Sequence, residues 1–141
     1  MRKQKIPFRI SGGLAVNAYG SKRKLYDIDI DVPDNALKRL LPSFKKFKVN
    51  GPKHYRDKEW DVNYLSINYK GQDVDLIGSN SQRIFNKNTL FWENLRISFT
   101  NIPKKNIFGL FVPIIPKNKL IEYKSKIKRS VDIIDIKELT K

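Results

Sequence analysis

Three aspartates, Asp27, Asp29 and Asp31, alternate with Ile28, Ile30 and Val32 in the run DIDIDV. A period of two is that of a β-strand with one buried face, which leaves the carboxylates together on the other. Successive carboxylates then stand about 6.8 Å apart, twice the rise per residue of a strand. Like charges held that close are costly unless a cation neutralises them. The run therefore reads as a site for a divalent metal ion. The rest of the chain must supply a sheet for it and a substrate for the metal to act on.

The flanking sequence offers both. Phe8 to Ser11 reads as a short buried strand ending at Gly12-Gly13, and Leu14 to Tyr19 as a helix stopped by Gly20. Glycines at a strand-to-helix junction present bare backbone N–H groups to an anion such as a phosphate. Ser21 to Leu25 is a basic loop leading into the aspartate strand. Trp60 to Tyr69 and Asp73 to Ile77 read as strands of a hairpin turning at Lys70-Gly71-Gln72. On the second of these, Asp73 and Asp75 share a face. Carboxylates that bridge two ions about 3.5–4 Å apart are what two-metal phosphoryl transfer needs. Two aspartates at i and i+2 plus a third from a neighbouring strand meet that need. The residues leave open whether the pair is Asp27 and Asp29 or Asp29 and Asp31, and whether the third acid is Asp73 or Asp75.

Gly12-Gly13 opening a helix, then Arg23, then Asp27-Ile28-Asp29, then an acid in Gln72-Asp73-Val74-Asp75-Leu76-Ile77 resembles the nucleotidyltransferase superfamily related to DNA polymerase beta. The pattern looks most like the minimal nucleotidyltransferases and the AbiEii-type toxins. The close of the chain fits as well, with Leu120-Ile121-Glu122-Tyr123-Lys124, then Arg129, Asp132 and Asp135. The resemblance implies two Mg²⁺ ions, or Mn²⁺, held by Asp27, Asp29 and Asp75. Asp75 would help activate an acceptor hydroxyl. Ser11, Gly12 and Gly13 would grip the phosphates of a nucleoside triphosphate such as ATP, with Arg23, Lys24 and Lys124 in reach. It implies transfer of a nucleotide to tRNA, a protein hydroxyl or a small molecule, with pyrophosphate leaving. A catalytically silent nucleotide- or RNA-binding module on the same fold, or a toxin–antitoxin component acting with a partner or as a homodimer, is the alternative. Placing Asp27 and Asp29 as the pair sets Arg23 four residues upstream, as in AbiEii-like sequences, and leaves Asp31 spare. The chain departs from the pattern at Leu25, where Ser or Thr is common, and lacks the longer Gly-Ser-x-Ala-Arg-Gly signature.

Elsewhere, Asp34 reads as the N-cap of a helix over Asn35 to Phe47 interrupted by Pro42, and Val49 to Lys58 as a polar loop. Ser81 to Asn86 reads as a short helix. Leu90 to Ile102 and Ile107 to Ile115 read as strands around a Pro103-Lys104-Lys105 turn, and Lys119 to Ile127 and Val131 to Leu139 as helices. This order predicts an α/β (α+β) fold in one domain over 1–141: a mixed central sheet with flanking helices, those at about 117–140 packing on it. His54, alone in a polar stretch, reads as a surface residue. Trp60, Tyr64, Phe91, Trp92 and Phe99 read as core, with one or two left to stack on a nucleobase. Asp132 and Asp135 are placed to cap a helix or pair with Lys or Arg.

Composition narrows the partners. The chain has no cysteine, which removes disulfides and thiolate zinc sites. Its longest apolar run, Ile107 to Ile115, is far shorter than the ~20 residues of a membrane span, and a cytoplasmic location is expected. The net charge of +15 attracts polyanions such as nucleotides and RNA.

Overall fold

A computed structural model gives the arrangement of residues 5–141. DIDIDV forms a strand, and its register decides the architecture. The elements are β1 (Arg9–Ser11), α1 (Gly12–Ala18), β2 (Asp27–Val32), α2 (Ala36–Phe44), β3 (Lys48–Arg56), β4 (Trp60–Tyr69) and β5 (Gln72–Gly78). They continue as β6 (Arg83–Asn86), β7 (Phe91–Asn94), β8 (Lys104–Ile107), β9 (Leu110–Pro113), α3 (Lys117–Ile127) and α4 (Ser130–Leu139). The main sheet runs β1-β2-β5-β4-β6-β7, with β3 also on β4; β8 and β9 form a separate ribbon. The sheet is mixed. β2 lies antiparallel to β1 and parallel to β5, with Asp29 opposite Ser11 on one side and Asp75 on the other.

Alternation sorts the two faces. Val32, Leu65, Ile67 and Leu76 pack under α2 with Ala36, Leu37 and Leu40. A second cluster gathers Leu14, Ala15 and Val16 of α1 with Ile84, Ile114 and Ile115, and with Leu120, Ile127 and Leu139 of the last two helices. These side chains are at most 6% exposed, and each Val, Leu or Ile among them contributes roughly 1.5–3 kcal/mol on burial. The mixed sheet with flanking helices expected from sequence is therefore what forms.

Several local expectations are corrected. Of the stretch expected as a loop at 49–58, residues 49–56 belong to β3. It is an edge strand whose side chains are mostly exposed, so it shows no apolar alternation; its register on β4 shifts around Asn50. The expected helix at 81–86 is instead strand β6, where Ile84 and Asn86 are buried and alternate with Arg83 and Phe85. Four residues are too few to separate the two periods. The strand expected over 90–102 ends at Asn94. The last β-ribbon turns at Phe108-Gly109, both at positive φ, while Lys104 and Lys105 lie within β8. Asp34 does not cap α2, whose N-cap is Asn35 with no side-chain bond. Its carboxylate instead accepts from the Asn80 backbone N–H, Ser81 and Asn63, and ties β2 to the end of β5. Pro42 stays inside α2, which passes into a 3₁₀ turn at Lys45–Phe47. α1 begins at Gly12, two residues earlier than expected. Of the five aromatics expected in the core, Phe91 is 74% exposed and the other four are only half-buried. No helix among the described residues is long and apolar enough to cross a membrane.

Candidate active site

The face of the sheet opposite α2 carries the aspartates. Asp27 and Asp29 come from β2 and Asp75 from the parallel neighbour β5. The register sets Asp29 beside Asp75, and carboxylate oxygens of all three lie within 4.8 Å of one another. They line a cavity of about 890 Å³, together with Ser11, Gly12, Gly13 and Arg23. Burial, then the charges of Asp27, Asp75 and Asp31, push the Asp29 carboxyl up to about 8. Burial raises Asp75 too, against a hydrogen bond from Ser66 and with the charges of Asp27 and Asp73. Ser66 Oγ donates to Asp75 Oδ1 at 2.5 Å. Among the described residues, the carboxylates of Asp27 and Asp29 have no hydrogen bond or ion pair of their own. Three carboxylates so poorly compensated form a hard-oxygen donor set that fits Mg²⁺ or Mn²⁺.

Asp31 also lines the cavity but is engaged. Arg9 Nε donates to its Oδ2 at 2.7 Å, Gln82 Nε2 reaches its Oδ1 at 3.3 Å, and it is 2% exposed. Asp73 is exposed and accepts from Asn68, away from the cluster.

The glycine pair sits hard against the site. Gly12 has φ +61°, and a Cβ there would collide with the Asp29 carboxylate. A Cβ on Gly13 would meet the Arg23 guanidinium at 2.9 Å. Ser11 is buried, and its Oγ donates to the Asp29 carbonyl at 3.5 Å.

Arg23 and Lys124 line the cavity through an ion cluster that sequence reading did not assemble. Arg23 binds both oxygens of Asp135, at 2.6 and 3.1 Å. Lys124, 2% exposed, lies 3.0 Å from both Asp132 and Asp135. Asp132 also accepts from the side chain and backbone N–H of Arg129, which closes a capping box at the start of α4. Burial opposes ionisation of Asp132, but the Arg129 hydrogen bonds and the charge of Lys124 hold it below the usual carboxylate range. Asp132 and Asp135 thus cap and pair with Lys and Arg, as their spacing suggested. Lys24 does not line the cavity and lies over the ring of Tyr26. His54 is on the surface, between Asp61 and Asn63.

Sequence reading missed Ser66, Arg9 and Gln82. The only local signal was that Ser66 alternates with Tyr64 on the hairpin strand facing Asp75.

No protein-family model matches the chain, and no curated protein sequence does. Solved structures do. A Thermotoga maritima protein, described provisionally as a nucleotidyltransferase, superposes with a TM-score of 0.75 at 14% identity, over 99% of this chain and 85% of that one. The lincosamide antibiotic adenylyltransferase LnuA, bound to lincomycin, gives 0.62 at 18%, over 99% and 89%. ANT(2″)-Ia, in complex with adenylyl-2″-tobramycin, gives 0.58 at 15%, over 98% and 80%. The chain therefore has a nucleotidyltransferase-like fold.

Proposed function

We propose that the protein transfers a nucleotide from a nucleoside triphosphate such as ATP to a hydroxyl acceptor and releases pyrophosphate. The single observation that carries this reading is the convergence of Asp27, Asp29 and Asp75 within 4.8 Å, on a fold shared with nucleotidyltransferases. Asp27, Asp29 and Asp75 would hold the divalent ions, Mg²⁺ or Mn²⁺, which when bound would supply charge to stabilise the developing negative charge on the α-phosphate oxygens. Gly12 and Gly13, with Ser11 behind them, leave backbone open for the β- and γ-phosphates, and Arg23 and Lys124 present positive charge to the same cavity. Lys24, outside the cavity, meets at most the outer end of the triphosphate. Asp75, fixed by Ser66, accepts the proton of the acceptor hydroxyl. The hydroxyl oxygen bonds to the α-phosphorus as the bond to the pyrophosphate oxygen breaks.

An RNA end, a protein hydroxyl and a small molecule all offer that nucleophile. The AbiEii-like resemblance is carried by Arg23 standing four residues before Asp27; a toxin–antitoxin component in the cytoplasm, acting with a protein partner or as a homodimer, is a separate alternative on the same fold. The net charge of +15 favours one second reading, a silent RNA-binding module.

Radiolabelled nucleotide transfer in cell extract with Mg²⁺ separates the two. Transfer by the wild type, abolished in Asp27→Ala and Asp29→Ala, is the expected result. Equal labelling by all three proteins would sink the enzyme reading.

A further inference from the structure

The metal site occupies one flank of the cavity, and a different wall touches the chemistry above only through Ser66. That wall is β4. Trp60, Val62, Tyr64 and Ser66, at alternate positions, all line the cavity. Tyr55 of β3, opposite Val62 in register, packs edge-on against Tyr64 with ring centroids 6.2 Å apart.

Sheet order sets the direction of approach. Gly12-Gly13 follow β1, Asp29 is on β2, Asp75 on β5, and β4 comes next. Phosphoryl transfer places nucleophile and leaving group roughly in line. With pyrophosphate leaving at the glycine end, the acceptor enters from the β4 side. Ser66 stands opposite Asp75 in the ladder and Tyr64 opposite Ile77, so Tyr64 lies about 6.8 Å along the strand from Ser66. A ring lying on Tyr64 thus brings a hydroxyl attached to it towards Asp75.

Charge selects among ring alcohols. Outside the triad, each acidic side chain lining the cavity is already paired: Asp31 with Arg9, Glu93 with Lys126, and Glu122 with Lys119 and Lys126. A polycation would find no free carboxylate there. Arg96, exposed on the irregular stretch after β7, lines the same cavity and has no ion pair among the described residues. Arg96 thus adds an unpaired positive charge to the cavity.

We infer that β4 carries the acceptor subsite, and that it takes a nucleotide-type alcohol whose ring stacks on Tyr64, whose hydroxyl meets Asp75 and whose phosphate pairs with Arg96. This rests on the proposed nucleotidyl transfer. A free nucleoside monophosphate and the 3′ end of an RNA share this chemistry.

The test uses the full chain with Mg²⁺ and saturating α,β-methylene-ATP, which fills the donor place without being consumed. Tryptophan fluorescence, to which Trp60 in the cavity contributes, is followed on adding adenosine monophosphate, a short oligoribonucleotide, adenosine or tobramycin. The monophosphate and the oligonucleotide bind, adenosine binds at least tenfold more weakly, and tobramycin does not compete. Tyr64→Ala weakens monophosphate binding about tenfold, the effect of one lost base stack, whereas Tyr64→Phe preserves it. Arg96→Glu, at an exposed position, weakens the monophosphate and leaves adenosine unchanged. Tighter binding of the oligonucleotide assigns the RNA end; equal affinity assigns the free nucleotide. Tobramycin binding above the monophosphate, or wild-type affinity in both Tyr64→Ala and Arg96→Glu, overturns the subsite. Donor binding that ignores Mg²⁺ and Asp27, with the Tyr64 effect intact, removes the transfer reading instead.

Discussion

At Gly12 the site has no room for a methyl group, because the Asp29 carboxylate occupies the space a Cβ would need. Gly12→Ala also forces a side chain into φ +61°, a conformation costing roughly 1–2 kcal/mol. We expect transfer activity to fall on the order of 10²-fold, the scale of a catalytic group misplaced by an ångström. The melting temperature should fall only a few degrees. Wild-type activity in this variant would show that Asp29 can move without consequence. Asp29 also makes stability depend on pH. Its folded carboxyl is raised from 3.8 to about 8, so the folded state binds the proton more tightly than the unfolded chain. Between those values unfolding releases a proton, and stability declines as pH rises through the window. Thermal melting of metal-free protein should show that decline from pH 4 to 8. Added Mn²⁺ should raise the melting temperature more at pH 8 than at pH 5, and an equal shift at both would contradict the metal assignment.

At the scale of elements, the last two helices are held to the site by buried charge as well as by the packing of Leu120, Ile127 and Leu139. α3 contributes Lys124, α4 contributes Asp132 and Asp135, and the loop before β2 contributes Arg23. Removing one member leaves the others buried without compensation. Asp135→Ala should therefore cost about 3–5 kcal/mol, the range for breaking a buried pair. The check is a lower urea midpoint with an unchanged slope. A loss below 1 kcal/mol would mean that water replaces the carboxylate. Elements were legible where burial is one-sided: β2, β4, β5, α3 and α4 carry a repeating apolar pattern. β3 was not, because an edge strand exposed along most of its length has no pattern to read. β6 was not, because its alternation spans four residues.

Over the whole molecule, the charge of +15 gives a long-range field that favours anionic ligands. Binding of an oligoribonucleotide should weaken by tenfold or more between 50 and 200 mM salt, in proportion to the phosphates neutralised. Filter binding across that range measures it, and a flat response would confine recognition to the cavity. What was decided locally is the chemistry on offer: three carboxylates on one strand face, bare backbone at Gly12-Gly13, a second acidic strand, and a basic surface. Each follows from side-chain period or residue type over a few neighbours. Which carboxylates meet was decided only by long-range pairing. The parallel ladder of β2 on β5 sets Asp29 beside Asp75, across more than forty residues of chain. The antiparallel ladder of β1 on β2 delivers Arg9 to Asp31 and removes it from the cluster. No local pattern encodes either register, because hydrogen bonds between strand backbones are blind to sequence distance and are chosen by how both faces of the sheet are buried.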